Sequence, residues 1–139
     1  MSIVNYSIAF KALDYHIKEH NQNTDQLSNR IRQAIASTAK DIIKIYGLSL
    51  LKASNVTTLD LKNLPPLKTN NLQLAKMGNA SPRTIQRHLK RLIDAGIIIN
   101  KIWHGTNSGY DLWVEPKILL ATGLKPVDKP KIEQNSQKS

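Results

Sequence analysis

The chain has no cysteine, which excludes disulfides and thiolate zinc sites and fits a reducing compartment. Acidic residues are scarce: ten Asp and Glu stand against twenty Lys and Arg, a net charge of +10 over 139 residues. That imbalance favours polyanionic partners, nucleic acid or an acidic membrane surface. Long apolar runs are missing. Nothing approaches the roughly 18 consecutive apolar residues of a membrane span, and the opening MSIVNYSIAFKALDYH lacks the basic-then-apolar order of a secretion signal, so a cytoplasmic protein without a membrane partner is expected. Gly78, Gly96, Gly105 and Gly109 sit in turn contexts, not in a phosphate-cradling loop, and no Ser-His-Asp or paired-carboxylate spacing stands out. One string does match a catalytic pattern, because His16 to His20 reads H-x-x-E-H, the inverted zinc-protease motif. A zinc hydrolase needs a third ligand and a substrate cleft as well, and no other motif corroborates them. These histidines are therefore expected beside a polar loop, in a protein that is no enzyme and takes no metal or cofactor. The length suits about one domain with a modest core.

What is present begins with two amphipathic helical patterns. Tyr6, Phe10, Leu13 and Ile17 form the first; Leu27, Ile31, Ala34, Ile35, Thr38, Ile42 and Ile45 form the second, from a Thr24 cap. Gly47 is placed to end the second helix in a left-handed turn, with LSLLKAS as a short further helix. Between Asn55 and Pro66 the signals weaken: TTLDL alternates, Pro65 and Pro66 block helix and central strand, and an irregular connector is expected. The predicted organisation is an N-terminal helical region over 1–47, a core over 48–121 whose connector is 48–68, and a flexible tail over 122–139, where two prolines and low hydrophobicity prevail.

The segment LQLAKMGNASPRTIQRHLKRLIDAGIII, Leu72 to Ile99, is the most informative. Thr69 is a plausible cap for a helix carrying Leu72, Ala75 and Met77, which stops at Gly78. After the turn GNAS, Ser81 caps a helix whose first residue is Pro82, where a missing N–H costs nothing, and Gly96 ends it with a positive φ. IIINKIW, the turn HGTNSG and YDLWV then read as a β-hairpin, with KILLA as a short last helix. On a wheel of about 100° per residue, Ile85, Leu89, Leu92 and Ile93 form the core stripe while Arg83, Arg87, Lys90 and Asp94 lie opposite. Half of the net charge falls between Thr69 and His104, where six Lys or Arg face one Asp.

These residue types suit double-stranded DNA. Arg83 and Arg87 carry planar donor forks that match O6 and N7 of guanine, Gln86 matches N6 and N7 of adenine, and Thr84 suits a thymine methyl or a phosphate. Ser81, with the helix N-terminus, and Lys76, Lys90, Arg91, Lys101, His104, Thr106 and Asn107 are assigned to the phosphate backbone. Asp94 is expected in a local salt bridge, and His88 as a neutral, partly buried histidine. Trp103 and Trp113 are able to stack on bases, although packing the hairpin on the helices is the commoner use.

The stretch LAKMGNASPRTIQRHLKRLIDAGIII resembles winged helix-turn-helix domains of bacterial and phage regulators and replication initiators, whose pattern is Leu-Ala, a turn, Ser, a basic pair, a β-branched residue, a Leu-x-x-Leu run and Gly-Leu-Ile. The resemblance covers about Leu72 to Val114. It implies a mainly α fold with a small β-hairpin, a recognition helix from Ser81 through Leu92 and a wing from Lys101 through Tyr110. Pro82 and Thr84 stand where many relatives carry Arg or Lys, which leaves fewer base-reading cations. The function expected is DNA binding by a transcription regulator or a replication or mobile-element initiator. The alternative is a protein-protein assembly module of the same fold. The apolar stripes of the two N-terminal helices need burial on that core or in a homodimer.

Overall fold

The computed structural model describes residues 4–27, 30–60, 62–104 and 109–120. The expected hairpin tip and the expected flexible tail lie outside them. Helix α1 spans Tyr6–Gln22 and starts at Asn5, whose side chain accepts from the Ile8 N–H at 3.2 Å. Its Ala9 and Leu13 are fully buried, with Tyr6, Phe10 and Ile17 packed around them. Thr24 caps the end of this helix, not the start of the next: its hydroxyl donates to the His20 carbonyl at 2.7 Å. Leu27 is accordingly exposed (66 %), outside the stripe predicted for it.

Helix α2, Gln33–Ser54, is a single 22-residue helix that runs straight through Gly47. The glycine is there for close approach, not termination. A Cβ on Gly47 would meet the Tyr6 hydroxyl and lie 2.9 Å from its ring carbons, and the Tyr6 O–H donates to the neighbouring Lys44 carbonyl at 3.1 Å. Helix propensity disfavours glycine by roughly 1 kcal/mol, so tertiary packing of α1 accounts for its presence. LSLLKAS is thus the last part of α2, and Leu50 from it is fully buried.

Three strands follow in the order β1-β3-β2, all antiparallel. Strand β1 is Leu67–Asn70, β2 is Ile98–Trp103 and β3 is Gly109–Val114. The expected hairpin is β2-β3, and β1 adds a third strand on the far side of β3, pairing Lys68 with Asp111 and Thr69 with Tyr110. Two tethers seat the connector before β1: the Tyr46 O–H donates to the Pro65 carbonyl at 2.6 Å and the Trp113 N–H to the Leu64 carbonyl at 3.1 Å. Trp113 is thereby a packing residue.

Helix α3, Asn71–Gly78, is capped by Asn70, which accepts from the Gln73 N–H at 2.7 Å. Thr69 is a buried strand residue that donates to the Gln73 side chain. Leu74 and Ala75 face inward, whereas Leu72 and Met77 are exposed. Asn79 then turns the chain with φ 51° and ψ 48°, a conformation that Asn tolerates better than most residues. Helix α4, Pro82–Asp94, opens at the Ser81 cap as expected. It closes with the Ile97 N–H donating to the Leu92 carbonyl and the Gly96 N–H to that of Ile93, the Schellman pattern, which places Gly96 at φ 76°. A short α5, Pro116–Leu119, buries Ile118 and Leu119.

One apolar core joins all of this. Ala9 and Leu13 of α1, Ile42, Ile43 and Leu50 of α2, Leu74 of α3, Ile85, Leu89 and Leu92 of α4, and Leu112 of β3 belong to the same cluster. The N-terminal stripes are therefore covered within one chain. Ile93 departs from its predicted place, 39 % exposed at the edge of the α4 stripe.

Candidate nucleic-acid interface

Burial of Ile85, Leu89 and Leu92 leaves the opposite side of α4 as an exposed ridge of Arg83, Gln86, Arg87 and Lys90. None of these four side chains makes a hydrogen bond or ion pair with another described residue, so their donors stay available. At the head of the helix, Ser81 Oγ accepts from the Thr84 N–H at 3.1 Å and donates to Thr84 Oγ1 at 3.0 Å. The Ser81 hydroxyl is thus spent on capping, while Thr84 is half-buried and keeps its own hydroxyl hydrogen. Lys76 is exposed in the last turn of α3, just before the turn into α4.

Two grooves run along the ridge. On the hairpin side Gln86, Arg87, Lys90 and Asp94 share a shallow concavity of about 360 Å³ with Lys101 of β2. On the α2 side Arg87, Lys90, Arg91 and Asp94 border a larger one of about 650 Å³, whose far wall holds Arg30 and Arg32. Arg91 is half-buried and also borders a small cleft with His20, Thr24 and Asp94. Asp94 approaches none of these cations within 4.0 Å, so the salt bridge expected for it does not form among the described residues. Arg30 and Arg32 escape the sequence reading because the pattern from Thr24 onward looks helical. The only hint is the polar run continuing past HNQNT through DQLSNR.

Strand parity sorts the hairpin residues. Cross-strand partners share a sheet face, so Lys101 opposite Leu112 and Trp103 opposite Tyr110 lie on the face that also carries the core residues. Lys101 Nζ sits 4.7 Å from the Tyr110 ring centroid and 5.8 Å from that of Trp103, and the two rings stack at 6.3 Å. His104, one residue on, belongs to the other face. There its Nε2 lies 3.0 Å from Asp111 Oδ1, and Lys68 Nζ lies 3.3 Å from the same oxygen. Desolvation pushes the Asp111 carboxyl up, but the hydrogen bonds from His104 and Lys68 outweigh it and hold the group below the usual carboxylate range. The structure brings Lys101 to the ridge and turns His104 away from it. Thr106 and Asn107 lie outside the described residues.

The histidines behave as structural groups. A 2.7 Å hydrogen bond joins His88 Nδ1 to Thr38 Oγ1 of α2, and burial holds the His88 pKa below its ordinary value, which favours the neutral ring. His16 Nε2 donates to the Ala95 carbonyl at 2.7 Å, fastening α1 to the end of α4. His16 of the H-x-x-E-H string is engaged there, and no cluster of metal-binding residues occurs among the described residues.

The order α3, α4, β2, β3, with an exposed basic α4, is the arrangement that the resemblance implied, and β1 adds a strand that it did not. Residues 68–99, from β1 to the start of β2, match the family model for winged helix-turn-helix DNA-binding. The chain carries a winged helix-turn-helix fold. The matched stretch is under a quarter of the chain, which leaves α1, α2 and most of the wing outside it. No curated protein and no solved structure matched the chain. No described helix is long and apolar enough to cross a membrane.

Proposed function

We propose that this protein binds double-stranded DNA by laying α4 in the major groove. Arg83, Gln86 and Arg87 face base edges, Thr84 meets a methyl group or phosphate, and Lys76, Lys90, Arg91 and Lys101 hold the backbone. The observation that carries the reading is the free basic ridge on the helix that follows the turn, within a segment that matches DNA-binding domains of this fold. A helix with its side chains is about 10–12 Å across, close to the ~12 Å width of the major groove. The role that fits best is a transcription regulator or a replication or mobile-element initiator. The Ser81 hydroxyl acts through the cap, and the positive end of the α4 dipole supplies its share of phosphate attraction. His104 serves the wing through Asp111 and contributes no contact on the α4 side.

The test is a titration of duplex DNA with an Arg83→Ala, Arg87→Ala variant. Each bidentate pair contributes about 1–3 kcal/mol, so affinity should fall at least roughly 30-fold while the fold is kept. Unchanged affinity would remove α4 from the interface.

A further inference from the structure

We propose that Arg30 and Arg32, in the segment between α1 and α2, form with Arg91 a second phosphate anchor on the side of α4 away from the wing. The inference rests on the duplex-DNA reading above and extends it to residues outside the matched segment.

The observation is the 650 Å³ groove on the α2 side, where Arg30, Arg32, Arg87, Lys90 and Arg91 converge on one concavity with Asp94 as the sole carboxylate among its described lining residues. Five cations around one opening repel one another, and that repulsion is relieved when a polyanion enters. The two arginines are also positioned. Ile31 between them is buried, and Asn21 holds both of its backbone groups, accepting from the N–H at 2.8 Å and donating to the carbonyl at 3.1 Å. Arg30 and Arg32 therefore project from either side of a fixed point, both exposed. Arg30 spends one N–H on the Thr24 carbonyl at 3.3 Å and keeps the rest of its fork, while Arg32 has no partner among the described residues.

The geometry of a duplex says what fills the groove. A helix in the major groove has one sugar-phosphate backbone on each flank, and Arg87 and Lys90 border the concavities on both sides of α4. The wing-side concavity is served by Lys101, the α2-side one by Arg30, Arg32 and Arg91. The larger and more basic groove thus takes the second strand of the same duplex. Asp94 marks the C-terminal limit of the track.

The test compares wild type, Arg83→Ala/Arg87→Ala and Arg30→Ala/Arg32→Ala by anisotropy on a duplex of random sequence across a salt series. Two lost phosphate contacts should flatten the slope of log K against log salt by about 2, so that between about 50 and 200 mM salt wild type loses roughly tenfold more affinity than the variant. Wild-type binding that Arg83→Ala/Arg87→Ala weakens, with slope and affinity unchanged in Arg30→Ala/Arg32→Ala, would overturn the second anchor and leave the α4 reading intact. No duplex binding by wild type would overturn both. If the double variant misfolds by circular dichroism, Arg32→Glu carries the same test, since the Arg32 side chain makes no cap hydrogen bond and has no partner among the described residues, only its backbone carbonyl serving α2. It should weaken binding and flatten the slope by about 1 or more, and wild-type behaviour would refute the anchor.

Discussion

Asn21 offers a sharp test of how the N-terminal helices are joined. Its amide accepts from the Ile31 N–H and donates to the Ile31 carbonyl, and Ile31 is 4 % exposed. Asn21→Ala leaves both groups without a partner. Each bond contributes a net of about 1 kcal/mol, and the better helix propensity of alanine returns roughly 0.5 kcal/mol. The expected loss is about 1.5 kcal/mol, or about 5 °C in melting temperature for a chain of this size. Urea denaturation should show a lower midpoint at unchanged m. Asn21→Asp separates the two bonds: its carboxylate still accepts from the N–H but faces the carbonyl oxygen without a proton to donate. At neutral pH it should be at least as unstable as the alanine variant. On acidification through the carboxylate range, near about 4, it should regain stability relative to alanine as the protonated acid donates again. An alanine variant within about 0.3 kcal/mol of wild type, below the net value of even one such bond, or an aspartate variant insensitive to pH, would refute the clamp.

Gly96 sits at φ 76°, so Gly96→Ala should cost about 1–2 kcal/mol and Gly96→Asn less, read from thermal melts of the two variants. An alanine variant as stable as wild type would contradict the left-handed cap. His88 has its pKa lowered by burial, so the unfolded chain takes up that proton first as pH falls. Stability tied to His88 is full above the unfolded pKa near 6.5 and declines as pH drops through it towards the folded value. His88→Gln should flatten the stability profile between about pH 7 and 5, and an equally steep profile would show that the ring is not held neutral.

Local chemistry made α4 legible. Ser81, Pro82 and Gly96 act through their own backbone positions, and the alternation of Ile85, Leu89 and Leu92 with Arg83, Arg87 and Lys90 needs no knowledge of the rest of the chain. Features created by distant packing were hidden. Gly47 reads as a helix stop until the Tyr6 ring is placed against it. The four residues of β1 carry little strand signal, and pairing with β3 makes them a strand. Thr69 and Asn70 both suit an N-cap by type, and the sheet decides between them. The wing was partly readable, since parity alone separates Lys101 from His104, but Asp111 as the counter-charge emerges only from the register. Arg30 and Arg32 lie fifty or more positions from the helix they flank, a juxtaposition that no local pattern encodes.

The proposed role of α4 is to read base edges through Arg83 and Arg87. Selection from a pool of random duplexes, run in parallel with wild type and Arg83→Ala/Arg87→Ala, tests it most directly. Wild type should enrich a motif containing guanines, and the variant should lose preference at those positions while retaining salt-sensitive backbone binding. The same motif enriched by both proteins, or none enriched by wild type, would contradict it.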